Sequence, residues 1–163
     1  MEKLLKYLML ALVATFSLTF SACSGEENDE PDNKPSTSDS VISGSASSNY
    51  TIDFVPDDYY SPNFRWENDR LYYNNRRNSG YDNCKFVSVG KVSRLSDIKT
   101  APTSGWANSG SSLELIDSGG YIFTYTYGGI PYYVRLYITL NTSIDGTVVG
   151  INYSFQNFTP SNL

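Results

Sequence analysis

The stretch PYYVRLYITL, residues 131–140, decides how the rest of the chain is read. Val134, Leu136, Ile138 and Leu140 alternate with Tyr133, Arg135, Tyr137 and Thr139. Successive side chains of a strand point to opposite faces, so a period of two predicts a strand here. One of its faces is aliphatic and suits a core; the other is aromatic and polar and suits water or a partner. Just upstream, GYIFTYTY (120–127) alternates in the same way, with Tyr121, Phe123, Tyr125 and Tyr127 against Ile122, Thr124 and Thr126. Between the two runs, Gly128-Gly129-Ile130-Pro131 predicts a hairpin turn, because glycine takes positive φ without steric cost.

Outward from this pair, further strands are expected at TIDFV (51–55), RLYY (70–73), CKFVSVGKV (84–92), LELI (113–116) and TVVGINYSF (147–155). The turn-rich segments NNRRNSGYDN, PTSGWANSGSS, IDSGG and NTSIDG separate them. Nothing beyond the N-terminal segment has the 3.6-residue period of a helix. The pattern predicts an all-β fold over residues 50–163, a single small β-sandwich or barrel-like domain of about seven antiparallel strands. A chain of this length buries roughly two thirds of its extended surface, enough for one core and no second domain.

The N-terminal third reads differently. Lys3 and Lys6 precede an apolar run from Tyr7 to Phe20, which is shorter than the roughly 20 residues a membrane helix needs and has the form of a signal peptide. Ser21-Ala22-Cys23 at its end resembles the lipobox of bacterial lipoproteins. The resemblance implies cleavage after residue 22 and acylation of Cys23, hence a partner in the membrane reached through a lipid anchor. Two acyl chains give stable anchoring, at about 0.8 kcal/mol per buried methylene. The following SGEENDEPD resembles the surface-export signal of lipoproteins in the Bacteroidota and implies an outer-membrane protein exposed at the cell surface. Residues 24–49 hold six acids and one base, whereas residues 50–163 are nearly balanced with ten acids and nine bases. Acidic, serine-rich and poor in apolar residues, residues 23–49 are expected to form a disordered tether. Such a coil spans about 30 Å root-mean-square. Within it, Asp39-Ser40-Val41 resembles the tripeptide at which Bacteroidota O-glycosylate exported proteins, which makes Ser40 a candidate modification site.

Composition bounds the chemistry. The chain has no histidine and two cysteines, so the commonest general base is missing, and with Cys23 lipidated Cys84 has no disulfide partner. Cys84 heads a strand pattern and is expected to be a buried small hydrophobe. No cofactor and no metal site are expected; Asp57-Asp58 and Asn68-Asp69 offer hard oxygens without the spacing of a calcium loop. The domain carries no basic run, which argues against nucleic acid. The salient feature is aromatic content: fourteen tyrosines, eight phenylalanines and two tryptophans. Tyr59, Tyr60, Trp66, Tyr72 and Tyr73 cluster among polar, turn-forming neighbours and are the candidate ligand-binding residues, since exposed rings on a rigid sheet stack on sugars or apolar partners. The expectation is a non-catalytic binding module for a glycan or protein ligand. The alternatives are an accessory or structural subunit of an envelope complex and a carboxylate-based glycoside hydrolase, which would need two carboxyls about 5–9.5 Å apart. Arg135, a lone charge in an apolar strand, is expected to pair with an acid or stack on a tyrosine.

SVGKVSRLSDIKTAPTSGW, GGYIFTYTYGGIPYYVRLYITL and GTVVGINYSF together resemble a C-terminal module of uncharacterised Bacteroidota lipoproteins. The shared features are Val89-Gly90-Lys91-Val92, the loop closing from Pro102 to Trp106, Gly120-Tyr121, and Tyr133 with Arg135-Leu136-Tyr137. The likeness runs over residues 84–158 and implies an all-β module of a surface lipoprotein without specifying a ligand.

Overall fold

The computed structural model describes residues 40–55, 58, 60–75 and 80–162. The signal segment, Cys23 and most of the tether lie outside them. The described residues form ten strands: β1 (Ile42–Ala46), β2 (Ile52–Asp53), β3 (Asn63–Glu67), β4 (Arg70–Asn74), β5 (Tyr81–Lys91), β6 (Ala107–Asn108), β7 (Ser112–Glu114), β8 (Gly119–Tyr127), β9 (Ile130–Thr142) and β10 (Val148–Asn157). A single 3-10 turn, Leu95–Asp97, interrupts the long connection after β5. The expected all-β class is what the chain adopts, as two antiparallel sheets that do not close into a barrel. The larger sheet has the order β1-β10-β9-β8-β5-β6 and the smaller the order β2-β3-β4-β7.

The opening stretch lies where its alternation predicts. Val134, Leu136 and Ile138 are fully buried, and the intervening Tyr133, Arg135 and Tyr137 are half-buried on the other face. Tyr127 pairs with Ile130, leaving Gly128 and Gly129 as a two-residue turn with φ of 55° and 80°. That geometry matches the right-handed twist of the flanking strands. The β3–β4 turn uses the same device with Asn68 and Asp69, whose φ values are 50° and 57°. Their side chains come from a turn that favours exactly such polar residues.

Between the sheets the core is largely aromatic. Phe123 of β8 is its centre, with ring centroids 4.8 Å from Phe54, 4.9 Å from Tyr73 and 5.6 Å from Phe86. Ring pairs at such separations contribute about 0.5–1.5 kcal/mol each beyond the area they bury. The aromatic side of GYIFTYTY thus faces inward, and Ile122 on its opposite side is also buried. Ile122 lies in a second cluster with Val87, Leu95, Ile98 and Ala101, on the outer face of the larger sheet. The connection after β5 covers this face.

Two expectations need correction. The tether was expected to run to residue 49, yet Ile42–Ala46 pairs along its length with β10, from Ile42 opposite Phe155 to Ala46 opposite Ile151. Ile42, Gly44 and Ala46 turn toward the core and Ser43 and Ser45 toward solvent, so a serine-rich segment gains its order from its partner. The strands β3 and β6 were also unanticipated, and they raise the number above seven.

Candidate functional site

The five aromatic candidates do not form one surface. Tyr59, like Cys23, lies outside the described residues. Tyr60 is 55% exposed, and its backbone N–H donates to Asp58 Oδ1 at 2.8 Å. Trp66 and Tyr73 overturn the expectation of exposure: their relative exposures are 3% and 0%. The reason is strand parity. Phe64 and Trp66 on β3, and Leu71 and Tyr73 on β4, point into the core, while Arg65 and Tyr72 stand opposite each other on the outer face. The Trp66 indole N–H donates to the Ala46 carbonyl at 3.3 Å, and the Tyr73 hydroxyl donates to the Thr124 carbonyl at 3.3 Å. Tyr72 is half-buried beneath the Arg65 guanidinium, which sits 4.5 Å from its ring centroid. Arg65 also contacts Glu67 at 2.6 Å and Asn49 at 3.0 Å, so the ring face of Tyr72 is already occupied.

The exposed apolar side chains are spread out as well. Ile130 is at one end of β9 and Ile144 is just beyond the other, with the length of the strand, about 40 Å at 3.3 Å per residue, between them. Ser40 is exposed two residues before β1. Cys84 is buried, as expected for a strand hydrophobe, and burial pushes its thiol up to about 11. At that value the thiolate is scarce at neutral pH.

A concave site does exist elsewhere, on the outer face of the larger sheet. It is a cleft of about 460 Å³ lined by Ser88, Val89, Val92, Asp97, Ile98, Lys99, Thr100 and Pro102. Its floor depends on Gly120 of β8. A Cβ there would stand 2.7 Å from Val89 Cγ2 and 3.1 Å from both Ile98 Cδ1 and Val92 Cγ2, so only glycine lets the three aliphatic side chains settle onto the strand. Leu95, Ile98 and Ala101, spaced three apart, fasten the connection to the sheet.

Hydrogen bonds hold the rim. Val92 N–H donates to the Ser118 carbonyl at 2.9 Å, and the Trp106 indole N–H to the Pro102 carbonyl at 2.8 Å. The segment after β10 braces the other side. Ser161 N–H donates to the Lys99 carbonyl at 2.9 Å, and the Asn162 amide brackets Ala101, accepting from its N–H at 3.0 Å and donating to its carbonyl at 2.8 Å. Arg135 is part of this brace. Its guanidinium bonds the Gln156 side-chain oxygen at 3.2 Å and the Ile98 carbonyl at 3.2 Å, and it lies 5.4 Å from the Phe158 ring. An amide, a carbonyl and a phenylalanine therefore replace the acid or tyrosine expected for it.

The cleft presents an aliphatic wall, two hydroxyls, one ammonium and one carboxylate. Asp97 is its only lining carboxylate and is held by Arg94 at 3.1 Å. Ser88 Oγ accepts from Gly90 N–H at 3.1 Å, which leaves its own proton available to a ligand. The aromatic count drew attention away from these residues. The signal that could have found them is the run SRLSDIKTAP, a polar and basic connection carrying one apolar residue in every three. No protein-family model matches the chain, and neither the curated proteins nor the solved structures contain a match to it.

Proposed function

We propose that the chain is a lipid-anchored cell-envelope protein, presented at the outer surface, whose β-sandwich is a non-catalytic binding module with its ligand site in the cleft over Gly120. The observation that carries the reading is the cleft itself. Small-ligand sites are concave, about 300–1,000 Å³, and lined by apolar surface with a few placed polar groups; this one measures about 460 Å³ and mixes Val89, Val92, Ile98 and Pro102 with Ser88, Lys99 and Thr100. The anchor is argued from the apolar run ending at Ser21-Ala22-Cys23. The tether allows the domain to stand clear of the lipid.

Two measurements test the two halves. Mass spectrometry of the membrane fraction is expected to find an acylated Cys23 at the mature N-terminus; an unmodified thiol on a buffer-soluble product would overturn the anchor. The full-length protein in detergent, probed on arrays of glycans and surface proteins, is expected to retain at least one class, with Gly120→Val abolishing retention because its side chain displaces the cleft wall. Retention that survives in a folded Gly120→Val protein would move the site elsewhere.

A second reading, an accessory subunit that pairs through a sheet edge, has β1 in its favour. It is an edge strand of five residues with neither proline nor lysine, the residues that commonly blunt an edge. Stoichiometric capture of one partner, lost when Ser43 is replaced by proline, would favour it over the cleft.

A further inference from the structure

The charge around the cleft runs against the charge of the chain. The formal net charge is −5, yet residues 90–106 carry Lys91, Arg94 and Lys99 against the single acid Asp97. Arg94 is taken up by that acid. Among the described residues no carboxylate forms an ion pair with Lys99, whose ammonium is the remaining charge on the cleft lining. The same lining holds the hydroxyl-bearing Ser88 and Thr100 and the apolar Val89, Val92, Ile98 and Pro102.

From this we propose that the cleft takes a carboxylated sugar, a uronic-acid unit that is either free or part of an acidic polysaccharide. The inference rests on the cleft being the binding site. Each element of the lining matches one part of such a ligand. A single ammonium suits a monoanionic carboxylate, since charge-assisted hydrogen bonds to an ionised oxygen are roughly twice as strong as neutral ones. The Ser88 and Thr100 hydroxyls match ring hydroxyls as donors and acceptors. The aliphatic wall covers the C–H face of a pyranose, and the cleft volume admits roughly one or two rings. A cluster of several cations, which a phosphate dianion would use, is not what lines this site.

The test uses the full-length protein in detergent with three probes: galacturonic acid, a short oligogalacturonate, and a neutral galactose oligomer of equal length. Binding is followed by calorimetry and by tryptophan fluorescence, to which Trp66 contributes from the core and Trp106, whose indole is bonded to the cleft residue Pro102, contributes from beside the cleft. The acidic oligomer is expected to bind on the order of tenfold more tightly than the neutral one, with Lys99→Gln removing that advantage and raised salt weakening it. Arg70→Gln, which deletes the same charge on the opposite sheet, is expected to leave binding unchanged. If the monomer alone binds, the ligand is a free sugar acid; if only the oligomer does, it is a polysaccharide segment. Equal binding of acidic and neutral oligomers, unaffected by Lys99→Gln, would overturn the inference while leaving the cleft as a sugar site. If no probe binds, the sugar-acid inference is overturned, and the cleft reading is decided separately by the Gly120→Val array test. Binding of anionic lipid vesicles in place of sugars, lost on replacing Lys91, Arg94 and Lys99, would overturn the proposal in favour of a membrane-facing segment.

Discussion

Trp66 and Tyr72, on the two strands of the β3–β4 hairpin, have opposite fates. Trp66 is buried and bonded to the Ala46 carbonyl; Tyr72 is outside, roofed by Arg65. Replacing a large buried aromatic by alanine removes its transfer free energy and leaves a cavity. Trp66→Ala is therefore expected to cost about 3–5 kcal/mol in urea unfolding, and Tyr72→Ala about 1 kcal/mol or less, chiefly the cation–π contact. Equal losses at the two positions would contradict the parity. That parity was legible in RLYY once Leu71 is set inward, because Tyr72 then points out and Tyr73 in. Grouping aromatics by the polarity of their sequence neighbours could not show it, since turn residues flank a short strand on whichever face its side chains lie.

Strand existence was most legible where a segment supplies its own pattern. β8, β9 and β10 run for nine or more residues, and their bounds shift from the expected ones by only one or two residues. β6 has two residues and β1 has one large apolar side chain, so both owe their state to the strand beside them. Gly44 illustrates the dependence. It pairs with Tyr153 of β10, and a Cβ at Gly44 would lie 2.6 Å from the tyrosine hydroxyl oxygen and 2.8 Å from Cζ. The ring fills the space that the glycine leaves, the arrangement known as aromatic rescue of an edge glycine. Gly44→Val is expected to destabilise the domain by about 1–3 kcal/mol through overpacking. Adding Tyr153→Ala should recover part of that loss, so the two changes together cost less than their sum. Strict additivity would mean that the ring does not cover the glycine.

At the scale of the whole molecule, the unusual property is how many phenols the core holds. Burial is the leading cause that pushes the hydroxyls of Tyr73, Tyr81, Tyr121, Tyr125 and Tyr153 upward, Tyr121 to about 12. Tyr81 also donates to Asp58 at 2.6 Å, and Tyr121 both donates to the Glu114 carbonyl and accepts from Ile116 N–H, each at 2.8 Å. An unfolded phenol ionises near pH 10. The native state therefore keeps protons that the unfolded chain gives up above that pH, and stability falls as pH rises. With no histidine in the chain, no imidazole titrates between pH 5 and 8. The urea midpoint is expected to decline from about pH 10 upward, with phenolate absorbance rising in step with the loss of near-ultraviolet circular dichroism. Complete phenolate formation in an intact fold would refute this. The cleft was the least legible part, because its lining comes from β5 and the connection after it, is seated on Gly120 of β8 and is braced by residues 158–162, segments that meet only through the sheet order. The bracket that Asn162 places on Ala101 carries a practical warning for anyone labelling this molecule. A purification tag fused after Leu163 would pull directly on the latch of the cleft, and weak binding measured with it would report the tag. The β9–β10 turn, where Ile144 stands fully in solvent, is the gentler place for a dye or an epitope.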